Sequence, residues 1–156
     1  MGDPKYVIDR LVKELWNERR LNVADTIVAT DCVTHQLRSG APADPMPRGP
    51  EAIKEHVAAW VASFPDLCFR IEQMLSEGDR VATQLVMEGT HQGAWFGIPA
   101  SGKKIEIRMF TIHRVVRSKI VEDWVLVELL GLFQQLGVVS NTADLVGNFL
   151  RQESHS

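Results

Sequence analysis

Charged and titratable side chains crowd into residues 103–129, KKIEIRMFTIHRVVRSKIVEDWVLVEL: Arg108, His113 and Arg114, then Glu122, Asp123 and Glu128. A carboxylate facing arginines suits proton transfer next to a carbonyl, with one group moving the proton and a cation holding the developing oxyanion. Glu128 stands out because it is embedded in the apolar run WVLVELLGL. An enclosed carboxylate must be paired or have its pKa raised, and a raised pKa is what a general acid/base needs. The alternative is a structural ion pair between Glu128 and Arg108 or Arg114.

Which groups meet depends on the hairpin that carries them. Both arms are rich in β-branched and aromatic residues, and Arg117-Ser118 is the break between them. A two-residue loop there would pair Ile107 with Glu128. A three-residue loop with a bulge would pair Phe110 with Trp124 and Glu106 with Glu128. The second register is preferred, because Arg108, Arg114 and Glu128 then look into one space over Phe110 and Trp124. Trp124 would form a flat wall for an aromatic ligand. His113 alternates away from Arg114, toward the outer face or an interface.

Three further positions complete the candidate set. His35, in the short extended segment DCVTHQL, could donate to an oxyanion or relay a proton, or be a satisfied structural histidine. His91, in GTHQG, could meet ligand or cap the loop backbone. Trp95 and Phe96, on a glycine-rich connection, and the proline-rich loop 38–50 are expected at a pocket mouth, with Trp60 as a core aromatic. No second cavity carboxylate stands out. No phosphate-cradling glycine loop, nucleophile elbow, metal spacing or nicotinamide or flavin fingerprint occurs, so neither metal nor cofactor is expected.

The elements that would position these groups come in a legible order. Asp3-Pro4 opens a helix over residues 4–20, a short helix follows Asn22, and Pro50 opens a third that ends at Phe64-Pro65-Asp66. Strands are expected at 67–75 and 80–91, ahead of the hairpin, with a last helix from Asn141 to Leu150. Helices followed by a meander of strands make an α+β fold: a strongly curved, mixed but mostly antiparallel sheet, wrapped by N-terminal helices into a cone with an interior pocket.

At 156 residues and 45% hydrophobic, the chain is read as one domain over 1–156, with its core at about 4–137 and residues 138–156 as a lid or dimer arm. A net charge of -3 without a basic run excludes a nucleic-acid footprint. Neither a signal-type core nor an apolar span is present, so a cytoplasmic protein without a membrane partner is expected, with Cys32 and Cys68 as reduced, packed thiols.

The run GTHQGAWFGIPASGKKIEI, then KIVEDW, Glu128 and LLGLFQQLG, resembles the SnoaL-like polyketide cyclase family, also called ester cyclases. FPDL at 64–67 and RGPEAIKEH at 48–56 extend the resemblance. It implies the cone fold of ketosteroid isomerase and nuclear transport factor two, and cofactor-free intramolecular aldol cyclisation of a small apolar or polycyclic substrate. The family's catalytic aspartate falls on Glu128, one methylene longer, its polar neighbour on Arg114, and an early substrate-facing position on His35. The same fold implies a homodimer through the open sheet face. Isomerisation, dehydration, epoxide opening or non-catalytic binding would use the same pocket.

Overall fold

The computed structural model describes residues 2–153 and has the expected α+β order. Asp3 accepts a hydrogen bond from the Lys5 backbone N–H at 2.9 Å and Pro4 occupies the first turn, which starts α1 (Pro4–Arg10). The helix then widens into a π-helical stretch, Leu11–Asn17, closed by a 2.9 Å bond from the Glu18 N–H to the Lys13 carbonyl. At its end, the Asn17 side chain both donates to and accepts from the backbone of Phe69, at 2.8 Å each way, tying helix to sheet.

There follow α2 (Val23–Ile27), β1 (Val28–Gln36), the two-residue β2 (Met46–Pro47), α3 (Pro50–Ser63), β3 (Cys68–Glu77) and β4 (Arg80–Thr90). The chain continues through β5 (Lys104–Val116), β6 (Lys119–Val127), α4 (Leu129–Gln135) and α5 (Thr142–Glu153). The sheet has the order β2-β1-β6-β5-β4-β3 and is not closed; β1 and β6 are parallel, and every other pair is antiparallel. Ile8, Leu15, Val57, Phe64, Leu67 and Leu132 pack on Val81, Met87, Ile107 and Ile120 of its inner face. Each such buried side chain contributes about 1.5–3 kcal/mol. Cys32 is buried, but Cys68 is exposed on β3, so only one thiol is packed. No helix among the described residues is long and apolar enough to cross a membrane.

The hairpin follows neither register expected from the sequence. Arg117 and Ser118, at φ 51° and 61°, form a tight two-residue turn flanked by Val116 and Lys119. Val115 then pairs with Ile120 but Arg114 with Glu122, leaving Val121 as a bulge. Beyond it Ile112 faces Trp124 and Phe110 faces Leu126, not Trp124. Ile105, Ile107, Thr111, His113 and Val115 therefore point into the core, while Arg108, Phe110, Ile112 and Arg114 point out. On β6, Ile120 and Asp123 are buried.

Candidate functional site

Between the inner face of the sheet and the helices lies a cavity of about 550 Å³, walled by apolar groups such as Met87, Phe69, Trp60 and Trp95. A volume of this order accommodates a drug-sized organic molecule. Trp95 and Phe96 reach it from a tight turn in which the Trp95 and Ile98 backbones bond in both directions, at 3.0 and 2.8 Å. Phe96 and Gly97 sit there at φ 48° and 75°, and Phe96 stands 78% exposed at the rim. His91 holds the far side of the same connection. Its Nδ1 accepts from the Ser101 backbone N–H at 3.3 Å and meets the Ser101 hydroxyl at 3.0 Å, with the ring against Phe64. It is a loop clasp and does not line the cavity.

The polar groups of the wall come from two adjacent rows across the sheet. One row runs Val81, His113, Asp123, Thr34; the next runs Thr83, Thr111, Val125, Gln36. His113, Asp123 and Thr111 line the cavity. The His113 Nε2 stands 3.9 Å from the Asp123 Oδ2, beyond hydrogen-bond reach. Nδ1 of the first, Oδ1 of the second and the hydroxyls of Thr34, Thr83 and Thr111 are buried without a partner. A buried polar group left unpaired costs about 1–3 kcal/mol. Of these, the His113, Asp123 and Thr111 atoms belong to residues that line the cavity, where polar atoms of a ligand could satisfy them.

Burial lowers the pKa of His113 from its ordinary value, with Asp123 acting against it, so the imidazole is neutral at neutral pH. Cys32 and His56 also line the cavity. Burial first, then the Asp123 charge, pushes the Cys32 thiol up to about 12, which keeps it protonated and a poor nucleophile. His56 on α3 is held down to about 4, by burial first and Arg48 second, and is neutral as well.

Of the candidate catalytic and substrate-binding residues, Trp95 and Phe96 line the cavity and Glu128, Arg114, His35, Trp124, Arg108, Phe110 and His91 do not; the proline-rich loop reaches it through Arg38, Met46 and Arg48. His35, Arg114 and Trp124 do come together, but on the outer face. Glu122 joins them, with its Oε1 2.9 Å from the His35 Nε2 and its Oε2 3.1 Å from the Arg114 Nε. The His35 ring stacks on Trp124 at 4.9 Å, and the Arg80 guanidinium lies 5.6 Å from the Trp124 ring. Hydrogen bonds from His35 and then Arg114 hold the Glu122 carboxyl below its usual range. Phe110 belongs to an outer groove with Leu37, Leu75, Ile112 and Leu126, and Arg108 is exposed. Glu128 is exposed where β6 gives way to α4; its carboxylate folds over Gly131, 2.6 Å from where a Cβ there would stand.

Arg108, Arg114 and Glu128 thus do not share the interior, and His113 is inside instead of outside. The cavity carboxylate that the sequence reading lacked is Asp123. The signal was present in the alternation: Ile105, Ile107, Met109, Thr111, His113 and Val115 form the less charged set of β5, and burying it carries His113 inward.

A family model described as SnoaL-like polyketide cyclase matches residues 6–136. Among solved structures, IdmH, a candidate polyketide cyclase from Streptomyces antibioticus, is 30% identical, with a TM-score of 0.76 over 87% of this chain and 99% of that one. A candidate polyketide cyclase from Acidithiobacillus ferrooxidans is 26% identical, with a TM-score of 0.75 over 89% and 97%. AclR, a candidate hydroxylase from Streptomyces galilaeus, is 23% identical over 87% and 96%, with a TM-score of 0.75, and shares the fold. No curated protein matches the chain.

Proposed function

This chain belongs to the SnoaL-like polyketide cyclase family, and from that premise we propose that it closes a ring by moving a proton next to a carbonyl, with His113 and Asp123 as the acid/base pair. The observation that carries the reading is the opposed, buried and under-bonded pair on the cavity wall. Neutral His113 takes the proton from a carbon next to a ketone, breaking the C–H bond and leaving an enolate. The enolate carbon attacks a second carbonyl of the same molecule, and one C–C bond forms. His113 then returns its proton to the new alkoxide. Asp123 stabilises the transient imidazolium, and the unpartnered hydroxyl of Thr111, in the adjacent row of the same wall, is the donor for an oxyanion.

Proton abstraction can be read before the natural substrate is known. A panel of linear and cyclic β-diketones incubated with the protein in heavy water is followed by mass spectrometry for deuterium next to the carbonyl. Wild type is expected to exceed buffer by at least about a hundredfold on some member, and His113→Gln to fall to the buffer rate with its circular dichroism unchanged. Exchange that survives His113→Gln overturns the assignment.

The outer sheet face has a second role in this reading, as the contact surface of a homodimer. Phe110 (53% exposed), Ile112, Leu126, Leu75 and Leu37 make an apolar field there. Arg80, Arg114 and Glu122 stand on the same face, so two copies related by a twofold axis meet apolar on apolar, with both charge signs available around it.

A further inference from the structure

The charged groups of the cavity are unevenly distributed. Asp123 is the carboxylate among the lining residues described, whereas Arg48 and Arg38 both line it, in a chain whose net charge is -3. Arg48 is held firmly. Its backbone N–H bonds to the Cys32 carbonyl at 2.7 Å, directly after β2 pairs with β1 through Val33–Pro47 and Thr34–Met46. Gly49 follows with no room for a side chain, since a Cβ would stand 2.6 Å from the Thr30 carbonyl oxygen. The chain beneath Arg48 is therefore locked against β1 on one side and enters α3 on the other.

The guanidinium itself has no hydrogen-bonded or ion-paired partner among the described residues, although it is half-buried. Burial pulls its pKa below the usual arginine value, and Asp123 acts in the opposite direction without reaching it as an ion pair. A guanidinium drawn out of water and left unpaired carries a desolvation penalty that an incoming anion removes. Its planar fork fits a carboxylate with two parallel hydrogen bonds. Met46, Ile53 and Trp60 line the same cavity and are apolar, so an anion's attraction there would be less screened than in water.

We infer that the cavity selects an apolar molecule carrying a carboxylate, and that Arg48 is the residue that seats it. This rests on the cavity being the substrate site of the proposed cyclase. Cys32, the cross-strand neighbour of Arg48, is two residues along β1 from Thr34 in the row of His113 and Asp123. Arg48 follows the edge strand β2, two strands from β6 and three from β5, so the seat lies on the order of 12 Å from Asp123, and further from His113, measured between backbones. The carboxylate end is fixed at the rim beside α3, and the body of the molecule extends toward the acid/base pair.

The test is a fluorescence titration, read through the cavity tryptophans Trp16, Trp60 and Trp95, with anthracene carboxylate and with its uncharged carboxamide. Wild type should bind the carboxylate at least about tenfold more tightly. Arg48→Gln should bring the carboxylate to the level of the amide and leave the amide affinity in place, while Arg48→Lys keeps part of the preference because it keeps the charge and loses the fork. Equal affinities in wild type, absence of carboxylate binding, or a preference that survives Arg48→Gln overturns the inference. Should Arg48→Gln fail to fold, the wild-type comparison and Arg48→Lys still decide. The deuterium-exchange assay separates the two readings: a carboxylate preference without proton transfer in wild type keeps this seat and sinks the cyclase.

Discussion

His113 and Asp123 oppose one another across the central hairpin with 3.9 Å between Nε2 and Oδ2, and each keeps a second polar atom unpartnered. The carboxylate is the group that favours the protonated imidazole against burial. Asp123→Asn should lower the His113 pKa further, read by NMR titration of the ring, and cut turnover by about 10²–10⁴ with the fold intact. An unmoved His113 titration in that variant would separate the two residues functionally. Glu128→Gln, outside the cavity, should leave both readouts unchanged.

The cavity histidines also set how stability responds to acid. His56 is held from an ordinary 6.5 down to about 4, so over that interval the unfolded chain binds a proton that the folded chain refuses. Stability therefore falls as pH drops from 6.5 toward 4, by up to about 1.4 kcal/mol per pH unit for this group. His113, also lowered by burial, adds in the same direction. His56→Leu should flatten part of the decline in Tm over that window. A wild-type Tm constant from neutral pH to that of weak acetate buffer would contradict the burial of both rings.

The hairpin turn is under strain that a better turn sequence relieves. Arg117 and Ser118 both adopt left-handed backbone, where a side chain costs energy that Asn and Gly largely avoid. Replacing the pair by Asn-Gly should raise stability by about 1 kcal/mol, some 2–4 °C in Tm by calorimetry. A loss of stability would mean that the native side chains contribute contacts outweighing the backbone cost.

The outer face offers a separate measurement. Phe110→Lys combined with Leu126→Lys should give a folded protein of half the wild-type mass by light scattering, because buried lysines facing their symmetry mates repel. Wild type running as a monomer at micromolar concentration would remove the dimer.

The elements of the fold could be read because their causes are local. Asp3-Pro4 and Pro50 start helices, Phe64-Pro65 stops one, and Gly78 closes the turn between β3 and β4 with φ 58°. The site was misread for an equally physical reason. With the bulge at Val121 the pairing lies two residues from the preferred register, which leaves Arg108, Arg114 and Trp124 on one face as expected; what was misassigned is which face looks inward. The less charged set of β5 is the buried one, so Arg114 and Trp124 point outward and His113 and Asp123 inward. The parallel pairing of β1 with β6, which delivers Thr34 to the same row, joins segments nearly ninety residues apart and leaves no local trace.

Arg48 directly follows the edge strand β2, at the end of a proline-rich connection, whereas His113 and Asp123 sit on the long inner strands β5 and β6. In the proposed reading, choosing a molecule and transforming it fall to different parts of the architecture. A substitution at Arg48 would change what is admitted without displacing His113 or Asp123 from the inner strands.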